Sequence, residues 1–219
     1  MTDAPARTAL SPRLAETPLV AVLRADAATQ YDPVVDVLVE HGIRSIELTL
    51  TTPDTLDRVA SLVERVGDVA DVGVGTVTTA EQARTAIERG ADYLVTPVWL
   101  PGVVEVAVAA GTPVFPGAFT PSEVFAAWTA GATAVKIFPA QTVGAVYGSH
   151  LRGPFPDLEF IPSGGVAEAD VLPWLRAGAA AVSVGGPLLG DAFSGGSLTA
   201  LADRAKRFRD LVGEFAVTR

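Results

Sequence analysis

The chain has 219 residues, no cysteine, a formal net charge of −9 and a hydrophobic fraction of 49%. That length can bury a sizeable core, as one barrel or two small domains, and the lack of cysteine excludes disulfides and thiolate metal sites. Basic residues are scattered along an acidic chain, so neither nucleic acid nor an anionic membrane surface is an expected partner. No apolar run reaches bilayer-spanning length, and the opening MTDAPARTALSPRLAETP lacks the apolar core of a signal peptide. Together these features read as a cytoplasmic protein.

In chain order, residues 7–17 are predicted to form an extra N-terminal helix. Strands are predicted over 19–24, 45–50, 71–76, 92–97, 112–116, 133–138, 158–162 and 180–185, each a short apolar run. One phrase recurs before five of them: HGIRSIEL, RGADYLVT, AGTPVFPG, AGATAVKI and AGAAAVSV. The glycine fits the left-handed residue that closes a helix. Helical patterns precede it, as in PDTLDRVASLVERVG and TTAEQARTAIERG, with starts at Thr78 or Thr79 and at Thr120 before Pro121. The strands recur about every 20–26 residues, the spacing of βα units. Eight such units predict an α/β fold: a single (β/α)8 TIM barrel over residues 1–219, with the N-terminal helix closing its bottom. An open doubly wound sheet is the alternative, and the absence of GxGxxG after the first strand weighs against it.

Barrel sites lie where strands end, and side chains alternate in and out. In SIELTLT, Ile46, Leu48 and Leu50 face the helices, which turns Ser45, Glu47, Thr49 and Thr51 inward. In TAVKIFP, Val135 and Ile137 face out, and Ala134, Lys136 and Phe138 face in. Arg24 follows Val20 and Val22 inward, and Thr76 ends the third strand. Trp128 and Trp174 read as core, Trp99 as a candidate for the barrel mouth, and His41 and His150 as structural. The glycine-rich IPSGGV and SVGGP end strands seven and eight, where barrels bind phosphate through backbone N–H groups.

Lys136 is one of only two lysines, the other being Lys206. A buried ammonium is costly to desolvate, and a buried amine that sheds its proton is a nucleophile. A lysine that attacks a ketone forms an iminium, which accepts the electrons of a breaking C–C bond. Glu47 is the candidate proton carrier, and Arg24 and Thr76 the candidate clamp for a keto-acid carboxylate. The blander reading is a buried Lys136–Glu47 ion pair with no chemical role. No metal or other cofactor is required. The residues thus point to a Schiff-base lyase acting on an anionic carbonyl compound.

IELT, GVGTV, VTP (95–97), VKIFPA, GPFPDLEFIPSGGV and VSVGG, in this order, resemble the 2-keto-3-deoxy-6-phosphogluconate aldolases, also called 4-hydroxy-2-oxoglutarate aldolases. The resemblance runs from about strand one to strand eight. It implies a homotrimeric class I aldolase on a (β/α)8 barrel. The reaction it implies, an Entner–Doudoroff step, splits 2-keto-3-deoxy-6-phosphogluconate into pyruvate and glyceraldehyde 3-phosphate. Lys136 would be the Schiff-base lysine and Glu47 the proton carrier. Thr76 would bind the pyruvate carboxylate. Ser163, Gly164, Gly165, Gly185 and Gly186 would bind the phosphate, with Pro97 and Phe138 also in the substrate-binding set. The chain departs from many members at Thr51, where they carry arginine, and Arg24 is expected to take over that charge. It departs also at Ser163 for threonine, Gln141 for an acidic residue and Pro187 for serine. Alternative substrates are 4-hydroxy-2-oxoglutarate, the phosphogalactonate epimer and an unphosphorylated 2-keto-3-deoxy acid. More distant alternatives are a phosphate-binding isomerase or synthase barrel and a non-catalytic anion-binding barrel.

Overall fold

The computed structural model describes residues 7–217; residues 1–6 and 218–219, which the barrel reading also took in, lie outside the described residues. The strands are β1 (Leu19–Leu23), β2 (Ser45–Thr49), β3 (Asp71–Gly75), β4 (Leu94–Val95), β5 (Val114–Phe115), β6 (Gly117–Ala118), β7 (Val135–Ile137), β8 (Phe160–Pro162) and β9 (Val182–Val184). The helices are α1 (Pro12–Glu16), α2 (Tyr31–Glu40), α3 (Thr55–Val66), α4 (Ala80–Glu88), α5 (Pro101–Ala109), α6 (Pro121–Thr129), α7 (Val146–Arg152), α8 (Val171–Arg176), α9 (Gly186–Leu189) and α10 (Leu198–Val217). A short 3-10 turn, Ala28–Gln30, precedes α2.

All strand pairs are parallel, in a curled α/β fold. One sheet runs β5-β4-β3-β2-β1-β9 and the other β6-β7-β8. The strand expected over 112–116 is shifted and split, with β5 and β6 flanking Pro116. Proline has no N–H for the ladder, and the Gly117 N–H is taken by the Thr96 hydroxyl at 3.1 Å. The Pro116 carbonyl still accepts from the Lys136 N–H at 2.9 Å. On the far side, one parallel bridge, Ser163 to Ser183, links the end of β8 to β9.

Helix ends follow the sequence signals. Thr79 and Thr120 cap α4 and α6, each answered by a side chain three residues on, Gln82 and Glu123. The five repeated glycines, at 42, 90, 111, 131 and 178, all have positive φ. The N-terminal helix is shorter than the expected 7–17: Ser11 caps α1, Pro12 begins it, and Thr17 ends it. Arg7 instead donates to the Trp128 and Ala132 carbonyls, both at 2.7 Å, with its guanidinium over the Trp128 ring. α1 is pinned to the start of β3, where Ser11 donates to Asp71 and Arg13 pairs with it at 3.0 Å.

Alternation along the strands makes two cores. Ile46, Leu48, Val135 and Ile137 pack outward against the helices. Leu14 from α1 joins Val20, Tyr93, Val95, Phe115, Ala134, Ile161 and Ala181 in a separate interior cluster. Tyr93 fits there because its neighbour on β3 is Gly73, whose Cβ would lie 2.2 Å from the ring. Burial pushes the Tyr93 phenol well above its ordinary pKa, with Glu47 adding to the shift; its oxygen accepts from the Ser45 hydroxyl at 3.1 Å. Gly73→Ala is therefore expected to lower the unfolding free energy by about 1–3 kcal/mol through overpacking. Gly102→Ala on α5, where a Cβ meets nothing within 4 Å, should leave it unchanged or raised; urea melts of both variants check the contrast.

Candidate active site

Directly above the interior cluster the strand ends enclose a cavity of about 380 Å³. Around it stand Val22 from β1 and Arg24 just after it, Glu47 from β2, Thr76 after β3, and Lys136 and Phe138 from β7 and its exit. Ser163, Gly164 and Gly165 follow β8, and Gly185, Gly186 and Pro187 follow β9. Leu189, Gly190, Phe193 and Ser194 complete the wall. A groove of about 520 Å³ between α4 and α5, lined by Arg84, Ile87, Glu88, Glu105 and Val106, lies on the outer helices and contains no nucleophile.

Lys136 is 8% exposed and Glu47 2% exposed. Among the described residues neither side chain enters an ion pair within 4 Å or a hydrogen bond, so the bland ion-pair reading is not what the geometry contains. Their polar ends are not sealed in protein either, and both open onto the cavity. Below them a void of about 10 Å³ is lined by Val20, Val95, Phe115, Ile161 and Ser183, a largely apolar floor. Glu47 owes its position to Gly75: a Cβ there would lie 1.9 Å from the carboxylate. The alternating glycines of DVGVGTV thus vacate the space that Tyr93 and Glu47 fill, a signal the pattern carried but the sequence reading did not use. The Lys136 amine lies 5.3 Å from the centre of the Phe138 ring, whose edge would be 2.9 Å from a Cβ on Gly164.

Thr76 has φ 59°, in the left-handed region that a β-branched residue rarely adopts. Such outliers persist where surrounding structure over-determines them, and they cluster at functional sites. Arg24 is exposed at the rim, with no ion-pair partner among the described residues. Its charge reaches the Tyr31 phenol, which burial raises and Arg24 partly lowers. Gly164 and Gly165 have φ of 87° and 76°. The N–H groups of Gly164, Gly165, Gly185 and Gly186 donate to no other group among the described residues. Four free backbone donors beside a guanidinium can hold an anion, while Pro187 cannot donate.

The cavity brings together ten of the twelve expected site residues. Thr51 and Pro97 are not among its lining residues. The strand ends at Thr49, so strand parity no longer governs Thr51; it is exposed and donates to the Thr49 hydroxyl at 3.1 Å. Pro97 is turned under Gly117, its carbonyl 2.3 Å from where a Cβ would sit. Trp99 packs on the outer core rather than at the mouth. Phe193 and Ser194 were missed, because they sit in a loop beyond the last strand where no periodicity reaches. No group of three or more His, Cys, Asp or Glu side chains among the described residues could hold a metal.

A family model described as "Aldolase: KDPG and KHG aldolase" matches residues 10–196. The chain is 33% identical over 184 residues to a probable 2-dehydro-3-deoxy-6-phosphogalactonate aldolase of Rhizobium meliloti, covering 84% of this chain and 87% of the relative. It is 34% identical over 155 residues to a 2-dehydro-3-deoxy-phosphogluconate aldolase of Treponema pallidum, covering 70% and 72%. A solved structure described as native KDPGal superposes with a TM-score of 0.84 at 31% identity, covering 92% of this chain and 97% of that one.

The strain at Thr76 is testable apart from any ligand. A left-handed residue costs about 1–2 kcal/mol relative to glycine, whose own flexibility returns about 0.5–1 kcal/mol of that. Thr76→Gly is expected to raise the unfolding free energy by about 0.5–1 kcal/mol in urea melts, and Thr76→Val to give no such gain.

Proposed function

The chain belongs to the KDPG and KHG aldolase family and is an aldehyde-lyase acting on small keto acids, and from that premise we propose that it is a class I enzyme cleaving a 2-keto-3-deoxy-6-phospho sugar acid through a Schiff base at Lys136. The observation that carries this reading is the pairing of two buried, mutually unbonded groups, Lys136 and Glu47, on one cavity above an apolar floor. The Lys136 amine adds to the C2 ketone, and the carbinolamine loses water to give an iminium. Glu47 moves the protons of that step and takes the proton of the C4 hydroxyl as the C3–C4 bond breaks. The bonding pair enters the enamine, the C4 end leaves as glyceraldehyde 3-phosphate, and the enamine is protonated at C3. Hydrolysis of the resulting iminium releases pyruvate and restores the amine.

In this reading Arg24 and Thr76 hold the carboxylate, with Phe138 packed beside the imine. The free N–H groups of 164–165 and 185–186, with Ser163, receive the phosphate. The curled sheet is read as a closed eight-stranded barrel, 114–118 counting as one strand interrupted at Pro116, and as a single domain. A homotrimer is the assembly carried by the resemblance. Exposed Val98, Phe119, Phe125 and Val146 are apolar surface that neighbouring copies would cover. The cell interior remains the proposed location; no helix among the described residues is long and apolar enough to cross a membrane.

The phosphogluconate acid is the first reading of the substrate. Its phosphogalactonate epimer is the second, favoured by the Rhizobium relative that aligns over 84% of the chain. The epimers differ at C4, the carbon whose hydroxyl must reach the base, and both yield the same products. Rates of pyruvate release from each epimer and from the unphosphorylated acid test the reading. The phosphorylated acids should be preferred by roughly 10–100-fold in kcat/KM, the effect of hydrogen bonds to a charged group. Equal rates with the unphosphorylated acid would remove the phosphate site.

Two substitutions separate the roles. Glu47→Gln should lower kcat by about 10²–10⁴-fold, the usual contribution of general acid–base catalysis; near-parent turnover would leave Glu47 without a proton-transfer role. Arg24→Ala should weaken pyruvate binding by about 1.5–3 kcal/mol, and Thr51→Ala by less, read from pyruvate-dependent imine formation. The reverse order would assign the carboxylate to hydroxyls.

A further inference from the structure

One wall of the cavity is made by the loop after α9, whose tip carries Phe193 and Ser194. The base of this loop is fixed. The Arg204 guanidinium donates to the Leu188 and Leu189 carbonyls, both at 2.7 Å. Within the loop, the Ser194 and Gly196 N–H groups donate to the Asp191 carbonyl at 2.8 and 2.9 Å. The tip is held differently. The Phe193 carbonyl accepts from the Gln30 side-chain amide at 3.3 Å, and its ring meets the buried Tyr31 ring edge-on, centroids 6.1 Å apart.

The other end of the Gln30 carboxamide faces the exit of β1, the strand paired with β9. Its oxygen accepts from the N–H groups of Asp26 at 3.0 Å and Ala27 at 3.1 Å, two and three residues past Arg24. One side chain therefore ties the exit of β1 to the tip of the 190–196 loop. The β1 exit has a second, independent tether: the Thr52 hydroxyl accepts from the Ala25 N–H at 2.9 Å and donates to the Ala25 carbonyl at 3.1 Å. Among the described residues the loop tip has no other side-chain hydrogen bond to the β1 side.

We propose that Gln30 is a positioning residue, and that through it the Phe193–Ser194 loop tip determines how tightly the enzyme holds the phosphorylated, non-pyruvate end of its substrate. The inference rests on the reading of the cavity given above. Lys136 on β7 and Thr76 after β3 stand on elements away from this clasp, whereas Gly185 and Gly186 begin the single-turn α9 from whose other end the loop departs. Loss of the clasp should therefore act on the distal end of a long substrate and spare pyruvate.

Two variants break the clasp in different ways. Gln30→Glu keeps the acceptor for Asp26 and Ala27 and removes only the donor to Phe193. Gln30→Met is neutral, of similar length, and removes both. Each is assayed with the preferred phosphorylated acid for kcat and KM, and with pyruvate alone by borohydride trapping at Lys136 over a range of concentrations. The expected result is a KM raised about 3–10-fold in both variants, with kcat within about twofold and half-saturation by pyruvate unchanged. Because pyruvate is itself an anion, its unchanged titration in Gln30→Glu separates loss of the clasp from the added negative charge. A parent-like KM in either variant overturns the inference, as does a matching shift in pyruvate titration in both, which would make Gln30 a support for Arg24 instead. Failure of the underlying reading is distinct: the parent enzyme itself would trap no pyruvate at Lys136.

Discussion

A lysine side chain held almost out of solvent with no carboxylate against it is the constraint on which the rest of the structure turns. Burying such a group costs several kcal/mol unless something compensates, and here the acid that shares its cavity, Glu47, is bonded neither to it nor to any other group. The surroundings are arranged to keep both groups in place. Val20, Val95, Phe115 and Ile161, with Ser183, form a largely apolar floor around a void of only about 10 Å³, barely the room of one water. Gly75 vacates the room in which Glu47 stands, and Gly73 vacates the room for Tyr93 below it. The bottom of the curled sheet is stoppered by Leu14 from α1, which Ser11 and Arg13 pin to Asp71. An amine and an acid are thus presented, unbonded, to whatever enters from above.

The entering molecule meets donors disposed around the same opening. Arg24 brings the one guanidinium of the lining, Thr76 a hydroxyl fixed by an unfavourable backbone, and the turns after β8 and β9 four free N–H groups. In the proposed reading, a substrate with a carboxylate at one end and a phosphate at the other meets the Arg24 guanidinium with the first and neutral N–H donors with the second, with its ketone between them at Lys136. In that reading covalent chemistry and anion recognition fall to different elements: the former to β2 and β7, the latter to the exit of β1 and the glycine turns.

Much of this was legible in the sequence because parallel α/β folds impose strict periodicities. The helix-closing glycines announced the strands, and alternation in SIELTLT and TAVKIFP separated Glu47 and Lys136 from their outward neighbours, as the two cores bear out. Legibility ended where a local rule ended. Thr51 was given an inward direction by extending strand parity two residues past the real end of β2. The fifth strand was drawn through Pro116, where the ladder passes to the Thr96 hydroxyl. The left-handed Thr76 had no sequence signature, since threonine gives no hint of positive φ. Phe193 and Gln30 come together across 163 residues of chain, a contact no short-range pattern contains.

The central claim is that Lys136 is the residue that bonds covalently to the keto acid. The most direct measurement is incubation of the full chain with pyruvate and borohydride, followed by peptide mapping by mass spectrometry. The account predicts a reduced pyruvate adduct at Lys136, none at the exposed Lys206 of α10, and none in Lys136→Arg, whose guanidinium cannot form the imine. An adduct confined to Lys206, or cleavage of the sugar acid at parent rates by Lys136→Arg, would contradict it.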